Sequence, residues 1–351
     1  MLSLAGFAKA ETFRIATFNV ELHRKGPGLL LRDIERGKDT QIRDVIEVIA
    51  RTNPDILVLQ GFDWDYENRA LDAFRKRLKQ AGVVFNHLHA TQPNTGMATG
   101  LDMDGDGYRG DASDAQGFGR FTGQGGVAVL SRFALPEAGQ LDFTHMLWRD
   151  MPKALLPKHP DGRPFPSAEA MDIQRLSSTV HWVLPVRLSD EAMVWLLVFQ
   201  AGPPVFDGPE DRNGRRNHDE ILFWTHFLDG DLGAAPDQPI VVAGGANLDP
   251  FDADGRHDAI NALLTHPRLQ DPRPKSVGGA LADDQGHLGP NALDTVDWPH
   301  VGRLRVDYLL PSRELRVIDS GVFWPEPADP AHTIASGASR HRLVWIDLAL
   351  P

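Results

Sequence analysis

Cysteine is absent from all 351 residues, which excludes disulfides, thiolate metal ligands and a cysteine nucleophile together. Basic residues are in deficit: 36 Lys and Arg stand against 48 Asp and Glu, a formal net charge of −12. A protein that grips nucleic acid mainly through phosphates needs clustered cations, so non-specific nucleic-acid binding is not expected. No apolar run approaches the roughly 20 residues that cross a bilayer, so no membrane span is expected. There is no polar low-complexity tract and no short-period repeat, which excludes a mainly disordered chain and a solenoid. What is there is 42% hydrophobic and 24% charged residues, enough to bury a substantial core.

Phe13 to Asn19 is a β-rich run. Lys38 to Arg51 repeats apolar residues at helical spacing (Ile42, Val45, Ile46, Ile49), and Asp55 to Gln60 is a short, nearly all-apolar strand. Asn53-Pro54 ends the helix, because a residue before proline is pushed out of the α region. A second helix is expected over 67–80. Residues 94–124 are rich in Gly and Asp without periodicity and read as a long irregular insertion. A strand follows at 127–131, then proline-rich connections over 136–166. Further strands are expected at 176–184, 194–199, 240–243, 305–310, 315–323 and 343–348, with a helix at 219–228. Strands outnumber helices, and hairpin-like pairs mix with strand-helix-strand units, which suits an α/β fold of two packed mixed sheets flanked by helices in four layers. Residues 11–351 read as a single domain. Residues 1–10 read either as a truncated signal peptide ending in Ala8-Lys9-Ala10, which would place the protein in the periplasm or outside the cell, or as a disordered arm of a cytoplasmic protein.

Four segments in order carry a family resemblance: Ala16-Thr17-Phe18-Asn19-Val20-Glu21, Pro54 to Gln60, Gly244-Gly245-Ala246-Asn247-Leu248-Asp249-Pro250, and Arg305-Val306-Asp307-Tyr308 followed by Ser339-Arg340-His341-Arg342. Together they resemble the endonuclease/exonuclease/phosphatase superfamily over nearly the whole chain, each at a strand end, where sheets of this kind gather their ligand sites. The resemblance implies a metal-dependent phosphoesterase. In it, the first-motif Asn and a Glu closing the second help hold Mg²⁺ or Mn²⁺, and an Asp-x-Asn pair orients the attacking water. A mid-chain His contacts the phosphate, and a final Asp-His pair completes the site. Such oxygen-rich sites suit hard cations that polarise a phosphoryl oxygen.

The sequence keeps Asn19, Glu21, Asn247, Asp307 and His341 at the matching places. Gly61 stands at the Glu position, Gly245 at the water-orienting Asp, Arg340 at the Asp before the final His, and Gln200 at the phosphate-contacting His. Gly125 falls where many relatives carry Tyr. Three carboxylates lost and one guanidinium gained shift the local charge by about four units, against any dication, and Gln200 carries no proton. The expectation is therefore a catalytically silent cleft that binds a phosphorylated or other anionic small molecule, or a protein partner. Arg340 and Arg342, with Asn19, Asn247 and His341, would form the anion site. The alternative is an active phosphodiesterase or phosphatase that recruits Asp63, Asp65 or Asp249 as a relocated metal site; loop solvation and capping of the helix at Glu67 compete for Asp63 and Asp65.

Asp102-Met103-Asp104-Gly105-Asp106-Gly107 matches the first half of a Ca²⁺ loop, with Ser113 at the twelfth position in place of Glu and Asp111 or Asp114 as closing ligands. This gives a third reading, a Ca²⁺-stabilised extracytoplasmic binding protein, with a solvated acidic turn as its plain alternative. Asn217 with Glu220 reads as a capping box. Arg212, Arg215 and Arg216 are expected to pair with Asp207, Glu210 and Asp211. The scattered His145, His181 and His226 receive no role. Most tryptophans read as core, with Trp64 and Trp324 the candidates for a rim position.

Overall fold

The computed structural model describes residues 12–281, 284 and 286–350; the segment carrying the export reading lies outside them. In chain order the elements are β1 (Thr12–Leu22), α1 (Leu29–Arg36), α2 (Thr40–Thr52), β2 (Ile56–Phe62), α3 (Arg69–Gln80), β3 (His87–His89), β4 (Gly126–Ser131), β5 (Leu141–Asp142), α4 (Ala168–Ile173), β6 (His181–Arg187) and β7 (Met193–Gln200). There follow α5 (Arg212–Asp229), β8 (Ile240–Gly245), α6 (His257–Leu264), α7 (Val277–Ala280), β9 (Val296–Trp298), β10 (Gly302–Leu304), β11 (Asp307–Pro311), β12 (Arg316–Val322), α8 (Pro330–Ala338) and β13 (Val344–Ala349).

Eleven strands form two mixed sheets, ordered β12-β13-β1-β2-β4-β3 and β11-β8-β7-β6-β5, while β9 and β10 make a small ribbon. In each large sheet one pair, β1 with β2 or β7 with β8, is parallel and the rest are antiparallel. Strand side chains alternate between faces, and that parity builds the layers. Ile15, Val58, Val129, Val198, Val241, Leu309 and Ile346 meet in a dry layer between the sheets. Phe18, Leu57 and Leu59 face outward onto Val45 and Ile49 of α2 and Phe74 of α3. On the other side Phe199, Val242 and Leu310 pack against Trp224 and Phe227 of α5 and Ile260 of α6. The result is the expected four-layer sandwich.

Local chemistry sets the element ends. Asp39 caps α2 by accepting from the Ile42 N–H at 2.9 Å, and Asn53 closes the helix in the left-handed conformation before Pro54. Residues 90–125 contain isolated bridges but no helix or strand. Two expectations change. The strand expected from Leu176 starts at His181, because Arg216 draws the carbonyls of Arg175, Leu176 and Ser177 to its guanidinium and so removes them from strand pairing. The helix expected from Asp219 starts at Arg212, so Asn217 and Glu220 lie inside it, buried, and form no capping box. The Arg216 contacts are to carbonyls, not to the nearby acids.

Asn217 instead donates at 2.7 Å to the carbonyls of both Gly202 and Ala246, tying α5 to the ends of β7 and β8. Replacing it removes this donor from the buried Ala246 carbonyl and the part-buried Gly202 carbonyl. Asn217→Ala is expected to cost about 2–4 kcal/mol of unfolding free energy in urea; a loss under about 0.5 kcal/mol would show that the tie carries no weight.

Candidate active site

Where the inter-sheet layer reaches the strand ends, the same parity turns polar. The inward positions next after the apolar ones are Thr17 and Asn19 on β1, Gln60 on β2, Gln200 on β7, Gly245 on β8 and Asp307 on β11. The nine positions singled out by the resemblance, Asn19, Glu21, Gly61, Gln200, Gly245, Asn247, Asp307, Arg340 and His341, meet or border this cap although they lie far apart in sequence.

Asp307 and His341 form a buried pair. His341 Nδ1 donates to Asp307 Oδ2 at 2.7 Å, and the Thr295 hydroxyl donates to the same oxygen at 2.9 Å. With its proton on Nδ1, His341 presents Nε2 as an acceptor, and Asn19 Nδ2 lies 3.4 Å from it. The Trp298 ring meets His341 edge-on. Neither Thr295 nor Trp298 stood out in the sequence; the signal that could have found them is their place just ahead of the Arg305 motif. Asn247, in the left-handed conformation, donates to the Ala201 carbonyl at 2.8 Å.

Gly61 has φ +66°, and a Cβ added there would lie 2.5 Å from Asn19 Oδ1. The strand pairing shifts register at this point on both sides of β2, and Glu21 opposite also has a positive φ of 47°. Paired bulges re-aim side chains, and here they bring Glu21 to Arg340. At Gly245 an added Cβ would lie 2.3 Å from Gln200 Oε1. The space beside each glycine is thus taken by a neighbouring amide. Gly125 differs, since a Cβ there meets nothing nearer than 3.9 Å.

Arg340 grips Glu21 from three donors. Its Nε lies 2.8 Å from Oε1, its backbone N–H 2.9 Å from Oε2, and its Nη2 also contacts Oε1. The Ser339 hydroxyl adds a bond to Oε2 at 3.1 Å and another to the Asn19 carbonyl at 2.8 Å. Burial alone would raise the Glu21 carboxyl, but the Arg340 hydrogen bonds and the nearby His341 outweigh it and hold it at about 2.

Arg342 does not join Arg340 in an anion site. It is buried over the Trp324 ring and donates to the Ser339, Arg340 and His341 carbonyls at 2.6, 3.1 and 3.2 Å, so its charge faces the fold and not the cleft. Burial lowers it to about 10. Trp324 is correspondingly buried, not at a rim.

The three carboxylates considered for a relocated metal site are occupied separately. Asp63 accepts from the Arg24 and Gly125 N–H groups, each at 2.8 Å, and burial pushes it up to about 6 in spite of them. Asp65 caps α3 through the Ala70 N–H. Asp249 holds the Phe251 and Asp252 N–H groups with one oxygen and the Arg305 N–H with the other. In the insertion, Asp102, Asp104 and Asp106 each bring one oxygen within 4.8 Å of the others. Asp114 lies below them, accepting from the Met103 and Gly110 N–H groups, while Asp111 turns back to Ser113.

A two-sheet α/β sandwich with Asn, Asp and His gathered at the sheet ends defines a phosphoesterase-type architecture. The model of the endonuclease/exonuclease/phosphatase family matches residues 16–341, from the first motif to the last histidine, and the chain belongs to that family. The family is in general divalent-metal dependent. Similar solved structures include an endonuclease/exonuclease/phosphatase from Beutenbergia cavernae (15% identity, TM-score 0.55, covering 97% of this chain and 72% of that one). The human Nocturnin catalytic domain, with a bound sulfate, is also similar (15%, TM-score 0.52, 97% and 95%), as is a family protein from Leptotrichia buccalis (16%, TM-score 0.51, 97% and 99%). No curated protein gives a significant match. Among the described residues no helix is long and apolar enough to cross a membrane.

The Glu21–Arg340 pair makes a pH-dependent contribution. A carboxyl held at about 2 against an ordinary 4.5 stabilises the fold fully above pH 4.5, and that stability is lost as pH falls toward 2. Because Arg340 is half exposed, we expect Glu21→Gln to cost about 1–2 kcal/mol at pH 7, with the difference from the native protein shrinking between pH 4.5 and 2. Urea titrations across that range check this; a pH-independent difference contradicts it.

Proposed function

We propose that this chain is a family member whose inherited divalent-metal hydrolase site is closed, so that it is catalytically silent toward phosphate esters. The observation that carries this reading is the filling of the lost positions. Asn19 lies where a Gly61 side chain would begin, Gln200 lies where a Gly245 side chain would begin, and Arg340 engages Glu21. A glutamate at position 61 would need an unfavourable backbone and the displacement of Asn19.

The residues present do not fit Mg²⁺ or Mn²⁺ at the inherited place. Of the buried acceptors there that lack a hydrogen-bond partner, Asp307 Oδ1 belongs to a carboxylate, whereas Gln60 Oε1, Gln200 Oε1 and Asn217 Oδ1 are neutral amide oxygens, and a fixed guanidinium sits beside Glu21. The relocated-metal alternative is weakened by the separate hydrogen bonding of Asp63, Asp65 and Asp249. An acceptor-lined interior also moves any anionic ligand outward, to the mouth beside His23, whose proton affinity is lowered by burial first and then by the charges of Arg24, Arg340 and Arg120. A phosphorylated or other anionic small molecule at that mouth is the ligand class we favour.

A second reading rests on a separate observation. The convergence of Asp102, Asp104 and Asp106 supports Ca²⁺ ordering the 94–124 insertion, which would suit an extracytoplasmic setting.

Purified protein assayed with Mg²⁺ and Mn²⁺ on an aryl phosphodiester and an aryl phosphomonoester is expected to give no turnover above the metal-only rate. Turnover at least 100-fold above that rate, and abolished by Asn247→Ala, would refute the silent-cleft reading.

A further inference from the structure

Beyond the inherited cleft and the 102–106 loop, the charges of three further carboxylates bear on Asp294, which lies two residues ahead of β9. Asp294 is 5% exposed, and its Oδ2 is buried with no hydrogen-bond partner. A carboxylate oxygen so placed is costly unless something pairs with it. Asp284 Oδ2 is likewise buried and unpartnered. Asp249 and Asp252, both buried, also bear on Asp294 through their charge, and each is committed elsewhere. Asp249 holds the turn and the Arg305 N–H, and Asp252 accepts from Leu288 and Gly289, each at 2.7 Å. Asp252 thereby fixes the Leu288–Gly289 backbone next to the group.

Among the described residues no cation resolves this concentration of charge. Arg303 is near, but its Nε is aimed at Asp297 at 3.4 Å and its guanidinium lies over Trp324. The His287 ring and Asp284 Oδ1 both approach Gly302, 3.2 and 3.8 Å from where its Cβ would be. Burial first, then Asp249, Asp284 and Asp252, push Asp294 up to about 8, so that the charged form is disfavoured while nothing binds it.

We propose that Asp294 and Asp284 bind one hydrated divalent cation, with Asp252 and Asp249 supplying the surrounding negative charge. All the donors are oxygens, the set that hard cations such as Mn²⁺, Mg²⁺ and Ca²⁺ take. Two carboxylates with retained water are an ordinary complement for the smaller of these. The site is distinct from the inherited one, whose Asn19 and His341 it does not use. A single carboxylic acid, protonated and empty, is the competing account.

The test is thermal unfolding of the full chain at pH 7.5 with increasing MnCl₂, with electron paramagnetic resonance to count bound Mn²⁺. The native protein and Asp104→Asn are expected to gain about 4 °C in Tm at a Mn²⁺ concentration a hundred times Kd. Asp294→Asn and Asp284→Asn are each expected to lose that gain and to bind one ion fewer. Asp294→Asn also removes repulsion, so its Tm without metal should equal or exceed that of the native protein, which separates loss of binding from loss of folding. A gain that survives in both Asp294→Asn and Asp284→Asn, a gain lost only in Asp104→Asn, or no gain in the native protein would each overturn the proposal.

Discussion

Two twisted sheets can share a dry layer only if every strand turns apolar side chains into it, and strand parity makes that requirement continue to the last inward residue. In this protein Ile15, Val58, Val198, Val241 and Leu309 satisfy it. One or two inward steps further along the same strands the positions become Thr17, Asn19, Gln60, Gln200, Gly245 and Asp307. The site is thus the polar end of the core, and its geometry is inherited from packing. Any change of residue there must be satisfied inside the same closed layer, because no loop can swing away to absorb it.

This explains why the altered positions behave as a set. Removing a side chain at Gly61 or Gly245 would leave space at the end of a tightly packed layer, and in each case a neighbouring amide takes it. Arg340, just before His341, supplies a cation that cannot be deprotonated, and Glu21 turns to it through the paired bulges of β1 and β2. Meanwhile the Asp307–His341 pair keeps the geometry of a positioned base, but its Nε2 faces the Asn19 amide. The pair holds its place at the polar end of the core, beside Gly61, Gly245, Gln200 and Arg340.

Much of the fold was legible because its motifs lie at strand ends and its inner strands are short apolar runs. The β1-α2-β2 opening, the buried β4, the strand that leads to Asn247 and the strand that bears Asp307 follow directly from periodicity. The α5 start at Arg212 was hidden by Gly214 and by polar residues whose burial depends on partners far away in sequence, such as Gly202 and Ala246 for Asn217. Helices α1, α6 and α8 are short, and their apolar stripes are too brief to separate from loop. At the site, the positions that meet at the strand ends were readable from the motifs, but their partners were not. Sequence could not say that Arg342 folds its charge back onto the carbonyls just before it and onto Trp324, nor that Thr295 holds Asp307, since neither arrangement leaves a periodic pattern. The acidic group around Asp294 was missed for the same reason, because its members come from segments over 30 residues apart.

The central claim is that a fixed guanidinium and two amides have taken the place of a metal and its ligands. It is tested most directly by anomalous diffraction from crystals soaked in Mn²⁺. The account predicts no Mn²⁺ peak among Asn19, Gly61, Asp307 and His341, with Arg340 still seated on Glu21. A peak there, with Arg340 displaced and Glu21 turned to the ion, would contradict it.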